Sequence, residues 1–98
     1  MSISTTTFHN QHTIKIEGCF DFSAQSEFQQ AYEQLPSNDS YILDFSTVEK
    51  IDSSALVMLL SFRDYVGGDN ANIRLRGCSE DILSILELSN FKTLFNIS

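Results

Sequence analysis

The sequence is poor in positive charge. The chain has six Lys and Arg residues and thirteen Asp and Glu residues, which gives a net charge of −7 and a pI near 4.5. The basic residues are scattered, so the chain offers no basic patch for nucleic acid or for an anionic membrane. We therefore expect no nucleic-acid and no membrane partner, and a basic protein surface would fit better. The simpler alternative is that the acidity serves solubility alone.

Cysteines are also scarce, and long apolar runs are missing. Cys19 and Cys78 stand apart without metal-ligand spacing, so we expect buried free thiols in a reducing compartment. The N-terminal residues show no basic segment followed by an apolar one, so no signal peptide is expected. The longest apolar run, residues 55–60, is too short to cross a bilayer. These features predict a cytoplasmic protein.

The chain contains one proline, and 42% of its 98 residues are hydrophobic, which favours a packed core over disorder. We expect a single domain spanning residues 1–98. Strand and helix patterns alternate in the order ββαβαβαβ, which predicts an α/β domain with helices packed on one sheet. The strands are predicted at 3–8, 13–17, 41–45, 72–76 and 94–97, and the helices at 23–35, 53–66 and 80–88.

The start of the second predicted helix is the most informative part of the chain. Asp52, Ser53 and Ser54 follow a buried strand and a short polar loop, and they fall in the first helical turn. Backbone N–H groups point outward at a helix N-terminus, and the helix dipole favours negative charge there. A hydroxyl at this point is therefore either a helix cap or a place for a phosphate.

The same predicted helix has a broad apolar arc and a narrow polar face. The arc contains Ala55, Leu56, Met58, Leu59, Leu60, Phe62, Tyr65 and Val66. The polar face contains Ser53, Ser54, Val57, Ser61 and Asp64. Val57 is the apolar member of that polar face, which is consistent with a contact to a partner. The alternative is that Val57 is one of the scattered exposed apolar residues that most proteins carry.

No catalytic constellation is visible in the sequence. The Asp-Ser-Ser-Ala-Leu segment at 52–56 lacks the glycines of a nucleophile elbow, and neither histidine has a visible link to Ser53. His9 and His12 form only a weak metal pair, without further convincing ligands. The two glycines at 67–68 indicate the end of a helix and not a phosphate-binding loop. We therefore expect no enzymatic activity, no cofactor and no metal site.

The central segment closely resembles the signature of STAS domains, the anti-sigma-factor antagonists of bacterial partner-switching systems. The matching residues are Leu-Asp-Phe-Ser at 43–46 and Ile-Asp-Ser-Ser-Ala-Leu at 51–56. Supporting matches lie at 17–21, 88–91 and 94–97, and residues 20–23 and 63–70 look most like the stand-alone antagonists of gammaproteobacteria. The resemblance implies the α/β STAS fold, a mixed four- to five-stranded sheet with helices packed on it.

By this resemblance the protein is a non-catalytic switch, and Ser53 is its phosphorylation site. Unphosphorylated protein would bind an anti-sigma factor or a related regulator. A GHKL-type serine kinase would phosphorylate Ser53 and break that contact, and a metal-dependent serine phosphatase would restore it. In proteins of this kind the kinase and phosphatase can be joined to a response-regulator receiver.

The resemblance also suggests which residues surround the switch. Ser54 is a secondary acceptor, and Asp21 and Asp52 are acidic neighbours of the site. The partner-binding face is expected to include Asp21, Asp52, Ser54, Val57, Ser61 and Asp64 together with Ser53. Two departures from the family are Ala55, where a glycine is usual, and the end of the chain at residue 98, before the C-terminal helix of many relatives.

Two other functions remain open at this stage. The first keeps the fold but makes the protein a small STAS subunit of an ABC-transporter ATPase involved in lipid transport. Many such subunits have Asp-Thr-Gly or Asp-Ser-Gly at this turn, so the Asp-Ser-Ser sequence at 52–54 favours the switch. The second is a catalytic serine enzyme, which predicts labelling of Ser53 by an acylating or phosphonylating probe. We expect no such labelling.

Overall fold

A computed structural model describes residues 2–97, which form a five-stranded sheet and three α-helices. Strands β1 to β5 are Ser2–Phe8, Gln11–Phe20, Ser40–Ile51, Asn72–Arg76 and Asn96–Ile97. Helices α1 to α3 are Gln25–Glu33, Ser53–Tyr65 and Glu80–Leu88. Short 3₁₀ turns are present at Phe22–Ala24, Gly68–Asn70 and Phe91–Thr93. The predicted order ββαβαβαβ is therefore confirmed.

The strands lie side by side in chain order, from β1 to β5. β1 and β2 form an antiparallel hairpin, and the other neighbours are parallel. Right-handed crossovers between successive parallel strands place α1, α2 and α3 on one face of the sheet. Ile14, Leu43 and Leu75 form a fully buried row beneath these helices. On the opposite face Arg76 Nη2 lies 3.1 Å from Asp44 Oδ2.

Strands β2 and β3 are longer than the sequence pattern predicts. β2 continues to Phe20 instead of residue 17, and β3 continues to Ile51 instead of residue 45, so the predicted polar loop at 46–50 is in fact strand. The pairing of β2 with β3 shifts register near residues 15–17 and 18–19. Each bulge breaks the two-residue alternation on which the prediction rests. Val48 is buried all the same, which keeps this half of β3 on the sheet.

The predicted bounds of three other elements are also wrong. α1 begins at Gln25 because a 3₁₀ turn precedes the helix, and it ends at Glu33, two residues before the predicted end. α2 ends at Tyr65, one residue early, and Gly67 follows with a φ of 135°. The last strand contains only Asn96–Ile97, because Phe95 turns into the core and stacks on the ring of Phe91 at 5.6 Å.

Aromatic rings join α1 to α2. The ring of Phe62 lies 5.7 Å from Phe28 and 5.3 Å from Tyr32. All three side chains are buried, as their helical spacing predicts. Leu60 and Tyr65, which the same spacing assigns to the buried arc, are 37% and 43% exposed. The packing fixes the two helices against each other and leaves the outer face of α2 open.

The cysteines and the histidines differ in their environments. Cys19 and Cys78 are free thiols that are half-buried instead of fully buried, and burial raises the pKa of Cys78 to about 11. His12 is buried, with Nδ1 2.9 Å from Thr7 Oγ1 and Nε2 2.8 Å from Asp39 Oδ2. His9, by contrast, is exposed in the β1–β2 turn. Residues 2–97 contain no cluster of three or more potential metal-binding side chains.

None of the helices within residues 2–97 has both the length and the apolar character that a membrane span requires.

Candidate functional site

The carboxyl ends of β2 and β3 bring two aspartates to the same edge of the sheet. Phe20 and Ile51 are opposite each other in the parallel pairing, and Asp21 and Asp52 follow them directly. Both aspartates line one cleft, together with Cys19 and Lys50 at its wall. In open α/β sheets the edge at the carboxyl ends of the strands is the usual place for a functional site. The structure therefore brings Asp21, which the sequence predicts to be an acidic neighbour of the Ser53 site, to the same edge as Asp52.

Asp52 is the N-cap of α2. Its Oδ1 accepts hydrogen bonds from the backbone N–H groups of Ser54 and Ala55, at 2.9 and 3.2 Å, and from the Ser54 hydroxyl at 2.5 Å. The hydrogen bond from the Ser54 hydroxyl, together with those from the backbone, holds the pKa of the Asp52 carboxyl below its usual value. Asp52 is therefore the residue that stabilises the helix start, and the hydroxyl of Ser54 is committed to it.

Ser53 lies between these two residues and differs from both. It is exposed in the first turn of α2, and its side chain makes no hydrogen bond to any other residue in the range 2–97. Because Asp52 already caps the helix, the Ser53 hydroxyl is not needed for capping. Of the two serines, Ser53 is the one whose hydroxyl is exposed and has no hydrogen-bond partner among residues 2–97.

The exposed side chains of α2 continue in one stripe from Ser53. Val57, Ser61 and Asp64 follow it at spacings of four, four and three residues, which place them on the same side of the helix. All are exposed, and Val57 keeps 63% of its surface accessible. The polar face predicted from the sequence is thus an open surface, with Ser54 half-buried at its margin.

A groove of about 150 Å³ runs between α1 and α2 along this stripe. Its rim is formed by Gln25 and Gln29 of α1 and by Val57 and Ser61 of α2. The partner face predicted from the sequence contains α2 residues and the aspartates Asp21 and Asp52, but no residue of α1, whose Gln25 and Gln29 the structure places at the same groove. The polar face of α1 is visible in the sequence, but only the packing of the two helices places it next to α2.

The start of α1 repeats the geometry of the start of α2. Asp21 has the extended backbone of an N-cap, as Asp52 does, and its Oδ1 accepts from the Ser23 N–H at 3.0 Å and from the Ser23 hydroxyl at 2.5 Å. Both segments read Asp-x-Ser-Ala, and Ala24 and Ala55 are buried. Phe22 therefore occupies in segment 21–24 the position that Ser53 occupies in segment 52–55. The repeated Asp-x-Ser-Ala pattern is the sequence signal that would have pointed to Phe22.

A protein-family model described as "Mlab, STAS domain" matches residues 4–96. The chain belongs to the STAS domain family. Among curated proteins, this STAS domain is 47% identical over 87 residues to a STAS-domain containing protein from Pseudomonas aeruginosa strain UCBPP-PA14. The match covers 88% of this chain and 86% of the relative.

Solved structures share the fold of this STAS domain. A candidate anti-sigma factor antagonist from Thermotoga maritima has a TM-score of 0.82 at 16% identity, over 97% of this chain and 84% of that one. The anti-sigma factor antagonist SpoIIAA, a Bacillus cell fate determinant, has a TM-score of 0.69 at 14% identity in its unphosphorylated form, over 99% and 87%. Its phosphorylated form has a TM-score of 0.67 at 13% identity, over 99% and 91%. At such identities the likeness establishes the α/β STAS fold.

Proposed function

We propose that this STAS domain is an anti-sigma-factor antagonist in a bacterial partner-switching pathway, acting in the cytoplasm without catalytic activity of its own. The observation that carries the proposal is the exposed Ser53 hydroxyl, free of hydrogen bonds to the described chain, at the start of α2. The fold shared with anti-sigma factor antagonists supports the same function.

Phosphorylation of Ser53 would change the surface and leave the fold intact. A phosphate adds a charge of about −1.5 to −2 near neutral pH. The positive end of the α2 dipole favours that charge, but Asp52 already occupies the N–H groups of Ser54 and Ala55. The carboxylate of Asp52 also repels the phosphate, so the new charge points outward. It alters the face that a partner contacts and does not unwind the helix.

In the proposed cycle the unphosphorylated protein binds an anti-sigma factor or a related regulator through the exposed face of α2. That face is formed by Ser53, Val57, Ser61 and Asp64. Asp21, Asp52 and Ser54 lie at the end of the face next to the N-terminus of α2. A GHKL-type serine kinase adds the phosphate to Ser53 and breaks the contact. A metal-dependent serine phosphatase removes it and restores binding.

The identity of the captured partner tests this function. We expect the Ser53→Ala form, used as bait in native cells, to recover a GHKL-type serine kinase or an anti-sigma factor. The Ser53→Asp form should recover much less, because a carboxylate replaces the small hydroxyl in the contact.

Two other results would contradict the switch. Equal recovery of an ABC-transporter ATPase by both bait forms would instead make the protein a constitutive transporter subunit. Labelling of Ser53 by a phosphonylating probe, prevented by Ser53→Ala, would indicate a serine enzyme, and we expect no labelling.

A further inference from the structure

Phe22 is an exposed aromatic residue at the functional edge of the sheet. Phe22 is 68% accessible, although burial of a phenylalanine side chain is normally favourable. The 3₁₀ turn at Phe22–Ala24 is held by Asp21 and by burial of Ala24, so neither interaction uses the phenyl ring. The ring therefore contributes little to the fold and is available for contact with another molecule.

The strand register places Phe22 beside Ser53. Phe20 and Ile51 are opposite residues on neighbouring parallel strands, which lie about 4.8 Å apart. The next residues, Asp21 and Asp52, have nearly the same backbone angles, with φ of −141° and −130° and ψ of −170° and −173°. The two segments of the chain therefore leave the sheet in the same direction. The residues that follow the two aspartates, Phe22 and Ser53, come out on the same side.

Phe22 belongs to a surface that carries no charge within an acidic protein. Gln25, Gln29, Val57 and Ser61 line the groove between α1 and α2, and Phe22 and Ser53 lie in the turns that begin these two segments. We call these six exposed residues the Phe22 patch. Asp21 and Asp52 lie next to Phe22 and Ser53 in one cleft with Lys50, and Asp64 continues the α2 stripe, so the border carries three acidic residues and one basic residue. An aromatic and an aliphatic side chain at an uncharged centre, with a charged rim, is the composition of a protein-binding surface.

The patch is also held rigidly. The rings of Phe28, Tyr32 and Phe62 pack beneath it and fix α1 against α2. The Tyr65 hydroxyl donates a hydrogen bond of 3.0 Å to the backbone oxygen of Glu33, which ties the far ends of the two helices together. A surface that is ordered before binding loses less conformational entropy when a partner docks.

We propose that Phe22 is the anchor by which this protein docks onto its regulator. The partner that fits is a protein surface with an apolar pocket for the phenyl ring and basic side chains around it, facing the three bordering aspartates. This inference rests on the proposed function, because the regulator is the protein that phosphorylation of Ser53 releases. A phosphate on Ser53 would lie beside the ring and next to the carboxylate of Asp52, so docking would remove water from the phosphate next to a like charge.

The test uses Phe22→Ala and a matched control, Phe8→Ala. Phe8 is 74% exposed but lies in the β1–β2 hairpin, at the opposite end of β2. We expect Phe22→Ala to weaken binding to the regulator recovered by the Ser53→Ala bait at least tenfold, with an unchanged urea midpoint. Phe8→Ala should bind as the unaltered protein does. Equal binding by both variants would overturn the anchor role and leave the proposed function standing.

Site-specific photo-crosslinking in native cells provides a second measurement. A photoreactive phenylalanine analogue in place of Phe22 should crosslink to the regulator, and the same analogue in place of Phe8 should not. A crosslink from position 22 to a second copy of this chain would overturn the proposal in favour of a homodimer. If the Ser53→Ala bait recovers no regulator at all, the proposed function fails and the anchor role fails with it.

Discussion

Ser53→Asp is expected to bind the regulator about 30-fold more weakly than Ser53→Ala. Ser53 lies at the α2 N-terminal end of the uncharged Phe22 patch, so a partner docked on the patch removes water from whatever replaces the hydroxyl. Leaving a charged group desolvated without a partner costs on the order of 2 kcal/mol, which corresponds to about 30-fold in Kd. Calorimetric titration of the purified regulator with each variant measures the difference in Kd.

Ser84→Asp is the matched control for charge. Ser84 is an exposed serine on α3, outside the patch, so the same added charge there should change Kd less than about twofold. Equal affinities of Ser53→Asp and Ser53→Ala would contradict the switch. A similar loss for Ser84→Asp would show that overall charge, and not the position of Ser53, controls binding.

Gly77→Ala is expected to lower the free energy of unfolding by about 2–5 kcal/mol. Gly77 follows β4 with a φ of +76°, a conformation that costs other residues roughly 1–2 kcal/mol. A Cβ at this position would lie 2.8 Å from Ser46 Cβ, 2.9 Å from Ser46 Cα and 3.0 Å from its backbone nitrogen. Ser46 is part of β3, which is held between β2 and β4, so relief of the clash requires backbone movement and adds about 1–3 kcal/mol.

Gly68→Ala separates the cost of the backbone strain from the cost of the steric clash. Gly68 also has a positive φ, +59°, but a Cβ at this position would meet open space, with no packed neighbour within 4 Å. Its substitution should therefore cost only the backbone strain, about 1–2 kcal/mol. Urea denaturation of the two variants measures the difference. Equal destabilisation would mean that the close approach of residue 77 to Ser46 has no energetic consequence.

The start of α2 could be predicted from the sequence to the residue, because it depends on local chemistry. Asp52 has a side chain suited to capping, and the apolar period begins three residues later, at Ala55. The exposed stripe of Val57, Ser61 and Asp64 follows from the helical period alone. Neither feature depends on contacts with the neighbouring strands.

The far halves of β2 and β3 could not be predicted in the same way. Residues 46–50 are polar enough to suggest a loop, and only the pairing with a bulged β2 makes them strand. The repeated Asp-x-Ser-Ala pattern marks Phe22 in the sequence, but it does not show where Phe22 lies in the fold. Its position beside Ser53 depends on the register of Phe20 against Ile51, which is a contact between residues 31 positions apart in the chain.

The central claim is that Ser53 carries a regulatory phosphate, and one measurement tests it directly. Intact-mass analysis and phosphosite mapping should be performed on protein purified from its native cells in the presence of phosphatase inhibitors. We expect a fraction that is heavier by one phosphate, located on Ser53, absent from Ser53→Ala and retained in Ser54→Ala. A single unmodified mass under every growth condition tested would contradict the switch.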